Sequence, residues 1–517
     1  MNIFPLLHPE VNINPTIVSD YLNESEKTRP FVEHFPKIDH FKHLIEKRKH
    51  FPKEQRELLR KIISEQYESV HLEPSKNLNL LTNDNTFTVT TGHQLSLFGG
   101  PLFMFYKIMS TITLAQKLNA RFPETHILPI FWMASEDHDF EEINTVYLFG
   151  EEVQWSTHQK GAVGNFQLSG IKEVLTKIIE QLDQKPNEKE LIALLQHAYQ
   201  EKRTLSEATR IFLHYFFKQN DLIIIDANQK ELKKSFVSIM EEELVHQTSF
   251  KHVSKTNKKL EELNYNVQAL PREINLFYLE QNDRIRIEKI EDRFIIGSIS
   301  FTQDQILNEL KTNPQKFSPN VILRPLYQEH ILPNLAYIGG PGELSYWMQL
   351  KEAFHTYHVS FPILIRRNSF LLLNNRTIKK IEKLDLQLLD FFESVDLLKK
   401  KYVEQNIAID FENEEQTLIK AFNQIVEKLS KIDQSLKGFG LAEQKKLIKQ
   451  LNYIKGKGHK TWKQKNETAL EQIDQVKEEL FPEGILQERI NNILEYYVIH
   501  GKVLLQELME KSDPLNN

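Results

Sequence analysis

Residues 86–108 read TFTVTTGHQLSLFGGPLFMFYKI, and residues 125–144 read THILPIFWMASEDHDFEEIN. The first piece has the pattern of a β-branched strand, a glycine-bearing loop and the start of a helix. The second has that of an apolar strand running out into four consecutive polar, ionisable residues. Pro101 follows Gly99 and Gly100 and opens a run, Leu102 to Leu118, with apolar residues at helical spacing. Proline suits a first helical position because its missing N–H would have no partner there. A helix is therefore predicted from about Pro101, with Thr91, Gly92, His93, Gln94 and Ser96 in the loop before it. Its unpaired N–H groups and positive dipole end would face an anion held by that loop. Ligands of open α/β sheets sit beyond the carboxyl ends of the strands. Glu136, Asp137, His138 and Asp139 come at such an end, after LPIFWMA. The two loops are expected to meet across one crevice.

Outward from this unit, residues 151–220 interrupt the α/β rhythm: EVQWSTH and NFQLSG look like short strands, and helical runs follow. This segment is expected to be an insertion. The rhythm returns in LIIID (222–226), a continuous apolar run of the kind a strand buried on both faces needs, followed by a helix over about 230–246. Residues 266–317 alternate in period two, with Asn282-Asp283 and Glu291-Asp292 as turn signals, and predict a small antiparallel meander. SPNVILRP and LPNLAYIGGPGELSYW then bring a second loop-to-helix transition at Gly339-Gly340-Pro341-Gly342-Glu343, and FPILIRR a further strand. From about Ile378 the composition shifts to Lys, Glu, Gln and Leu. Apolar residues recur at Leu418, Phe422, Ile425, Leu429, Ile432 and Leu436, alternating four and three as a coiled-coil seam does. A second seam, Ala469, Ile473, Val476 and Leu480, follows a turn-like KGFG and a break at Gly456-Lys457-Gly458.

The predicted organisation is an N-terminal helical segment (1–82) and an α/β core assembled from 83–150, 221–265 and 318–372. Insertions at 151–220 and 266–317 interrupt the core. An α-helical coiled-coil hairpin (373–481) and a C-terminal helical segment packing on the core (482–517) complete the chain.

At 517 residues the chain is too long for one ordinary core. Charged residues make up 26% and the net charge is -6, which excludes a global attraction to nucleic acid. The N-terminus has no basic region followed by an apolar stretch, and nowhere do about 18 consecutive apolar residues occur. A cytoplasmic location without membrane contact is expected. With no cysteine, disulfides, thiolate metal sites and a cysteine nucleophile are excluded together.

In the TGHQLSLFGGP loop, His93, Gln94 and Ser96 add donors that a purely structural turn would not need. Asp137 or Asp139 could cap a helix starting near Phe140, but capping does not account for two carboxylates beside a histidine. Carboxylate and imidazole suit several divalent ions, yet no third ligand stands at a telling spacing, and no metal is expected. Arg324, Arg366 and Arg367 are placed at the edges of core strands, where an arginine fork can hold a carboxylate. Lys437 to Lys465 contains nine lysines and one acid, Glu443, which fits a solvated coiled-coil face or an RNA-contacting arm.

With these residues in view, the chain resembles the bacillithiol biosynthesis family BshC, the cysteine-adding enzymes that act last in making that thiol. The resemblance runs through TGHQLSLFGGPLFMFYK, FWMASEDHDFEEIN, SPNVILRP, YIGGPGELSYW, the RNS after the fifth strand and GILQER near the end. It implies a Rossmann-like core similar to class I nucleotidyltransferases, with two connecting-peptide insertions and a coiled coil that makes a homodimer. It also implies an amide bond between the carboxyl of cysteine and the amine of glucosaminyl-malate. On that reading His93 or His138 serves as base for the sugar ammonium, and Asp137 and Asp139 hold cationic amino groups. Gln94, Lys107 and the backbone of Gly340 and Gly342 face phosphate or oxyanion, and Arg324 or Arg367 the malate carboxylates. Ser96, Glu136, Asn144, Glu343 and Tyr346 complete the expected substrate-binding set. No KMSKS-like loop is present, so the cofactor is left unassigned: ATP, another nucleotide, or an activated cysteine donor from another protein would each meet the need. The rival class is a class I synthetase-like protein whose basic hairpin grips tRNA, or a non-catalytic dimeric scaffold.

Overall fold

A computed structural model of the chain describes residues 1–8, 11, 13–280, 283–407 and 411–516. These form two compact units, one built mainly from residues 3–372 and 487–517 and the other from residues 373–486.

The first unit is organised by a parallel sheet whose strands are β1 (Thr86–His93), β2 (His126–Met133), β3 (Ile223–Asp226), β4 (Asn334–Gly339) and β5 (Ile363–Arg366). The spatial order is β5-β4-β1-β2-β3, all parallel. This is the Rossmann order, in which the connections turn opposite ways on either side of the β1/β4 boundary and leave a crevice beyond the carboxyl ends. Almost every strand residue is buried, as a parallel sheet covered on both faces requires. Pro129 sits within β2, opposite Val89 of β1. The β3 strand joins only from Ile130 onward, so at Pro129 the ladder has one neighbour and the missing donor costs least.

The β1 strand runs further than its glycine suggested. Thr91, Gly92 and His93 are strand rather than loop, in register with Phe131, Trp132 and Met133, and Thr91 Oγ1 donates to the Ile338 carbonyl at 2.8 Å. Helix α1 (Leu102–Arg121) follows. The first N–H group of this helix meets the chain's own C-terminal segment rather than an anion. The Leu102 N–H donates to the Asn491 carbonyl at 2.9 Å, and Asn492 Nδ2 donates to the carbonyls of Phe98 and Gly100 at 3.2 and 2.8 Å.

Between β2 and β3 the chain makes a two-stranded hairpin, Thr145–Leu148 with Glu151–Gln154, and the helices Ile171–Leu182, Glu188–Ala198 and Leu205–Phe217. NFQLSG contributes no strand. After α2 (Lys230–His246), the expected single meander is instead two three-stranded antiparallel sheets. One orders Phe317–Pro319, Leu276–Glu280 and Asp283–Arg286; the other orders Ile299–Thr302, Arg293–Ile296 and Glu288–Ile290. The break falls at Ile287, whose side chain is buried and whose N–H turns back to the Leu276 carbonyl at 3.4 Å. The turn signal at Asn282 lies outside the described residues.

Arg324 is not at a strand edge: it opens the helix Arg324–Ile331. Asn320 turns the chain there, its Oδ1 accepting the Ile322 N–H at 2.9 Å, and Pro325 suits the first helical turn. Helix α3 (Pro341–Met348) leaves β4 through Gly340, as its proline predicts.

In the second unit, helices Glu412–Ile432 and Leu436–Lys465 form an antiparallel pair turning at residues 433–435. Neither KGFG nor Gly456-Lys457-Gly458 breaks the second helix. Gly440 has a packing reason to be glycine, since a Cβ there would meet Val426 Cγ2 at 2.9 Å. The seam also shifts: Val426 is buried, whereas Ile425 and Ile432 are exposed. Ile473, Val476 and Leu480, on helix Glu467–Leu480, are buried, and that helix packs on helices Asn375–Lys383 and Val395–Asn406 more than on the long helix. Among the described residues no helix is long and apolar enough to cross a membrane.

Candidate active site

The carboxyl ends of β1, β2 and β4 open into a cavity of about 570 Å³. Both signature loops and the Gly340 turn line it, together with residues from 270–277, 284–286 and 319–324. The crevice expected from the sequence is therefore present. His93, Gln94, Glu136, Asp137, His138, Asp139, Arg324, Gly340, Gly342, Glu343, Tyr346 and Arg367 all line it. Ser96, Lys107 and Asn144 are not among its lining residues.

The β2 end is held by a close approach. Gly164 N donates to the Ser135 carbonyl at 2.9 Å and Val163 N to the Asp137 carbonyl at 2.8 Å. A Cβ at Gly164 would lie 2.5 Å from Ser135 Cβ, so only glycine lets the segment clamp the SEDHD loop. The one-turn helix Phe140–Glu142 has no side-chain cap from Asp139, which removes capping as the reason for that acid. Asp137 Oδ1 accepts the His138 N–H at 2.8 Å, and its Oδ2 accepts Gln94 Nε2 at 3.0 Å. Gln94 also donates to Glu142 at 2.7 Å and so ties the two loops together. Burial by itself would raise the Asp137 carboxyl, but hydrogen bonds from His138 and Gln94 and the charge of Arg284 hold it well below the ordinary range.

Glu136 does not face the cavity as a free carboxylate: buried Lys233 of α2 pairs with it and also donates to Asn228 Oδ1 at 3.0 Å. Lys107 of α1 is likewise buried, bound to the Gly92 carbonyl and to both oxygens of Glu343 at 2.9 and 2.8 Å. It joins the end of β1 to the start of α3 rather than contacting ligand. Glu343 also accepts the Tyr337 hydroxyl at 2.6 Å and the Gly340 N–H at 2.9 Å. Burial opposes its ionisation, but the Lys107 charge and these hydrogen bonds bring it down to about 2 from an ordinary 4.5. A folded-state pKa below the unfolded value stabilises above the unfolded pKa and is lost as pH falls through the folded one. The Glu343→Gln protein is therefore expected to be less stable than wild type at pH 7, with the gap in urea midpoint narrowing between about pH 4.5 and 2. A gap constant down to pH 3 would remove the ion pair from the account.

His93, at the end of β1, packs edge-on against Phe103 at 5.1 Å between ring centroids. Its Nε2 is buried with no hydrogen-bond partner among the described residues. Burial and the neighbouring Lys107 charge lower it to about 3, so the ring is neutral at physiological pH.

Two arginines of the lining stand out. Arg367 spends its fork on Glu488, with bonds of 2.8 and 2.6 Å, both groups buried. Arg324 donates to the Tyr346 hydroxyl at 3.3 Å, and no carboxylate among the described residues pairs with it. The Arg324 side chain is half-buried in the cavity wall, and a charge withdrawn from water without a paired anion is costly, so an anionic ligand is its natural complement. Arg284, Arg286 and Arg489 also line the cavity, and the sequence reading missed all three. The signals were present: Arg284 and Arg286 share one face of a short strand, and Arg489 closes the GILQER motif. In that motif Gln487 completes the backbone of Leu372 with bonds of 2.9 and 3.1 Å, and Glu488 neutralises Arg367. Asp137, His138 and Asp139 bring potential ligand atoms within 4.8 Å of one another. Arg284, 3.7 Å from Asp137 Oδ1, already supplies positive charge there.

Residues 7–368 match the family model for the bacillithiol biosynthesis BshC N-terminal Rossmann-like domain, and residues 370–517 that for the BshC C-terminal coiled-coil domain. The chain is 39% identical to a protein of Christiangramia forsetii, covering 99% of this chain and 97% of the relative. It is 39% identical to one of Flavobacterium johnsoniae, covering 96% and 95%. It is 31% identical to one of Chlorobaculum tepidum, covering 88% and 86%. All three relatives carry the name "Putative cysteine ligase BshC".

Proposed function

This chain belongs to the bacillithiol biosynthesis BshC family, an enzyme family of cysteine ligases, and from that premise we propose that it joins the carboxyl of cysteine to the amine of glucosaminyl-malate. The observation that carries the reading is the pairing of opposite charges in one cavity. Arg324, without a carboxylate partner among the described residues, lines the same space as Asp137 and Asp139. A substrate bearing both carboxylates and an ammonium matches that distribution.

A carboxylate does not acylate an amine at neutral pH, so the cysteine carboxyl must arrive bearing a leaving group. Direct use of ATP and transfer from an activated donor both satisfy this. The sugar ammonium loses a proton to an acceptor among His93, His138 and Asp139. Its nitrogen then forms the C–N bond and the carbonyl oxygen takes up negative charge; the nitrogen gives up a second proton, and the carbonyl re-forms as the leaving group departs with its electron pair. At the start of α3 the Gly340 N–H is already taken by Glu343 and Pro341 has none, which leaves the Gly342 N–H as the donor for an oxyanion or phosphate. Thiol profiling of a host lacking the protein tests this. Glucosaminyl-malate should accumulate and the cysteine-bearing thiol should vanish until the gene is restored; an unchanged profile would sink the reading.

The helical hairpin leaves Ile425, Ile432, Phe439, Tyr453 and Ile454 exposed, more apolar surface than a lone solvated hairpin favours. We propose that it pairs with a second copy of the chain. Tyr453→Glu with Ile454→Glu is expected to shift the protein to monomer in sedimentation, with helix content retained. An unshifted dimer would place the interface elsewhere.

A further inference from the structure

His138 is one of two imidazoles in the cavity, and what surrounds its two nitrogens differs sharply. Arg284 Nη1 lies 3.2 Å from His138 Nδ1. Asp137 Oδ1 lies 3.6 Å from the same nitrogen, outside hydrogen-bond range, and it already accepts the His138 backbone N–H at 2.8 Å. A guanidinium can only donate, so a bond at 3.2 Å requires Nδ1 to be the acceptor. The ring proton is then on Nε2. Among the described residues that nitrogen has no hydrogen-bond partner within range, Asp139 Oδ1 being 3.9 Å away, and the ring is part of the cavity wall.

Arg284 is built to hold this position. It comes from strand Asp283–Arg286 of the small sheet, 146 residues from His138 in the chain. Its Nε donates to Ser318 Oγ and its Nη2 to the Pro319 carbonyl, both at 3.2 Å. The guanidinium carbon stands 4.2 Å from the centre of the Phe277 ring, and the same ring packs against the His138 imidazole at 5.6 Å. With two nitrogens anchored and one flat face stacked, the remaining Nη1 has one direction to point in, toward Nδ1. The Asp137 carboxylate, 3.7 Å from Nη1, compensates the arginine's charge.

We propose that Arg284 is a positioning residue that fixes the Nε2–H tautomer of His138, making His138 a neutral hydrogen-bond donor to the developing oxyanion rather than the base for the amine. The role rests on the amide-forming reading above; the tautomer does not. With Nδ1 occupied, the ammonium proton has His93 and Asp139 as its remaining acceptors. A neutral imidazole held as a donor polarises a carbonyl without first having to be protonated.

The test has two arms on the full-length protein. In ¹⁵N-histidine spectra, assigned with His138→Gln, wild-type Nδ1 of His138 should resonate as an unprotonated acceptor nitrogen and Nε2 as a protonated one. Arg284→Met should bring the two forms into exchange while the other histidine signals stay in place. A protonated Nδ1 in the wild type would overturn the proposal. The second arm is turnover. His138→Ala removes the donor and is expected to lower kcat by roughly 10²–10³, the loss seen when one oxyanion donor is deleted. His138→Gln, which can donate but is no base, should recover most of that loss. Equal inactivity of the Gln and Ala proteins would show that His138 is the base and overturn the donor role. Were the tautomer found but cysteine transfer absent in the wild type, the reaction assigned to the site would fail while the Arg284 clamp stood.

Discussion

Replacing Glu488 with alanine is expected to destabilise the chain by about 3–5 kcal/mol, the usual cost of removing one member of a buried ion pair. The pair is nearly inaccessible to solvent, with side chains 3% and 2% exposed, and both Arg367–Glu488 bonds are short. Removing the carboxylate leaves the Arg367 charge where water cannot compensate it. The damage would reach the cavity, because Arg367 lines it and its guanidinium lies 5.3 Å from the centre of the Phe103 ring, the ring that supports His93. The expected signature in urea or thermal unfolding is a large loss for Glu488→Ala. Much of it should return in the double variant Arg367→Met with Glu488→Leu, which removes both charges and keeps volume. If Glu488→Ala unfolds like wild type, the C-terminal segment does not hold the site together.

Arg324→Ala should cost little stability and much activity. The guanidinium donates to the Tyr346 hydroxyl and has no carboxylate partner among the described residues, so its truncation breaks no ion pair within the fold. If it binds a substrate carboxylate, truncation should cost about 2–5 kcal/mol of transition-state binding, roughly 30-fold to several thousand-fold in kcat/KM. The larger part should fall on KM for the carboxylate-bearing substrate, because that contact is made equally in the ground state. Arg324→Lys should recover little, since an ammonium cannot reproduce the bidentate fork. A variant with wild-type KM would remove Arg324 from substrate recognition.

Glu488 and Arg324 also mark where reading the chain alone succeeds and where it stops. TFTVTT, LPIFWM and LIIID carried the strands of the core, because a parallel strand buried on both faces needs an apolar or β-branched run and little else produces one. Pro101 and Pro341 located two helix starts, since proline's fixed φ and missing N–H suit few other places. His93, Asp137 and Asp139 were found because the carboxyl end of a strand is legible in sequence as the point where an apolar run gives way to polar residues.

Side-chain partnership was not legible. Lys107 is committed to Glu343, 236 residues away in the chain, and Arg367 to Glu488, 121 away. A charged residue in a motif looks the same whether it meets ligand or protein. The long helix was misjudged at its glycines for a related reason. Glycine at positions 440, 456 and 458 weakens a helix locally, by about 1 kcal/mol each, but neighbouring helices decide whether the helix continues. The same holds for the start of α1, whose N–H groups sequence assigns to an anion, although the Leu102 N–H goes instead to the Asn491 carbonyl.

What the sequence by itself determined is the strands of the core, two of its helix starts, the location of the crevice and the family, all of which depend on local periodicity and on motifs within single loops. Only the tertiary structure decided which charged groups remain open to a ligand and which are committed to partners within the fold. Those depend on contacts across hundreds of residues, where the free energy of a buried charge is set by whatever stands within a few ångströms of it.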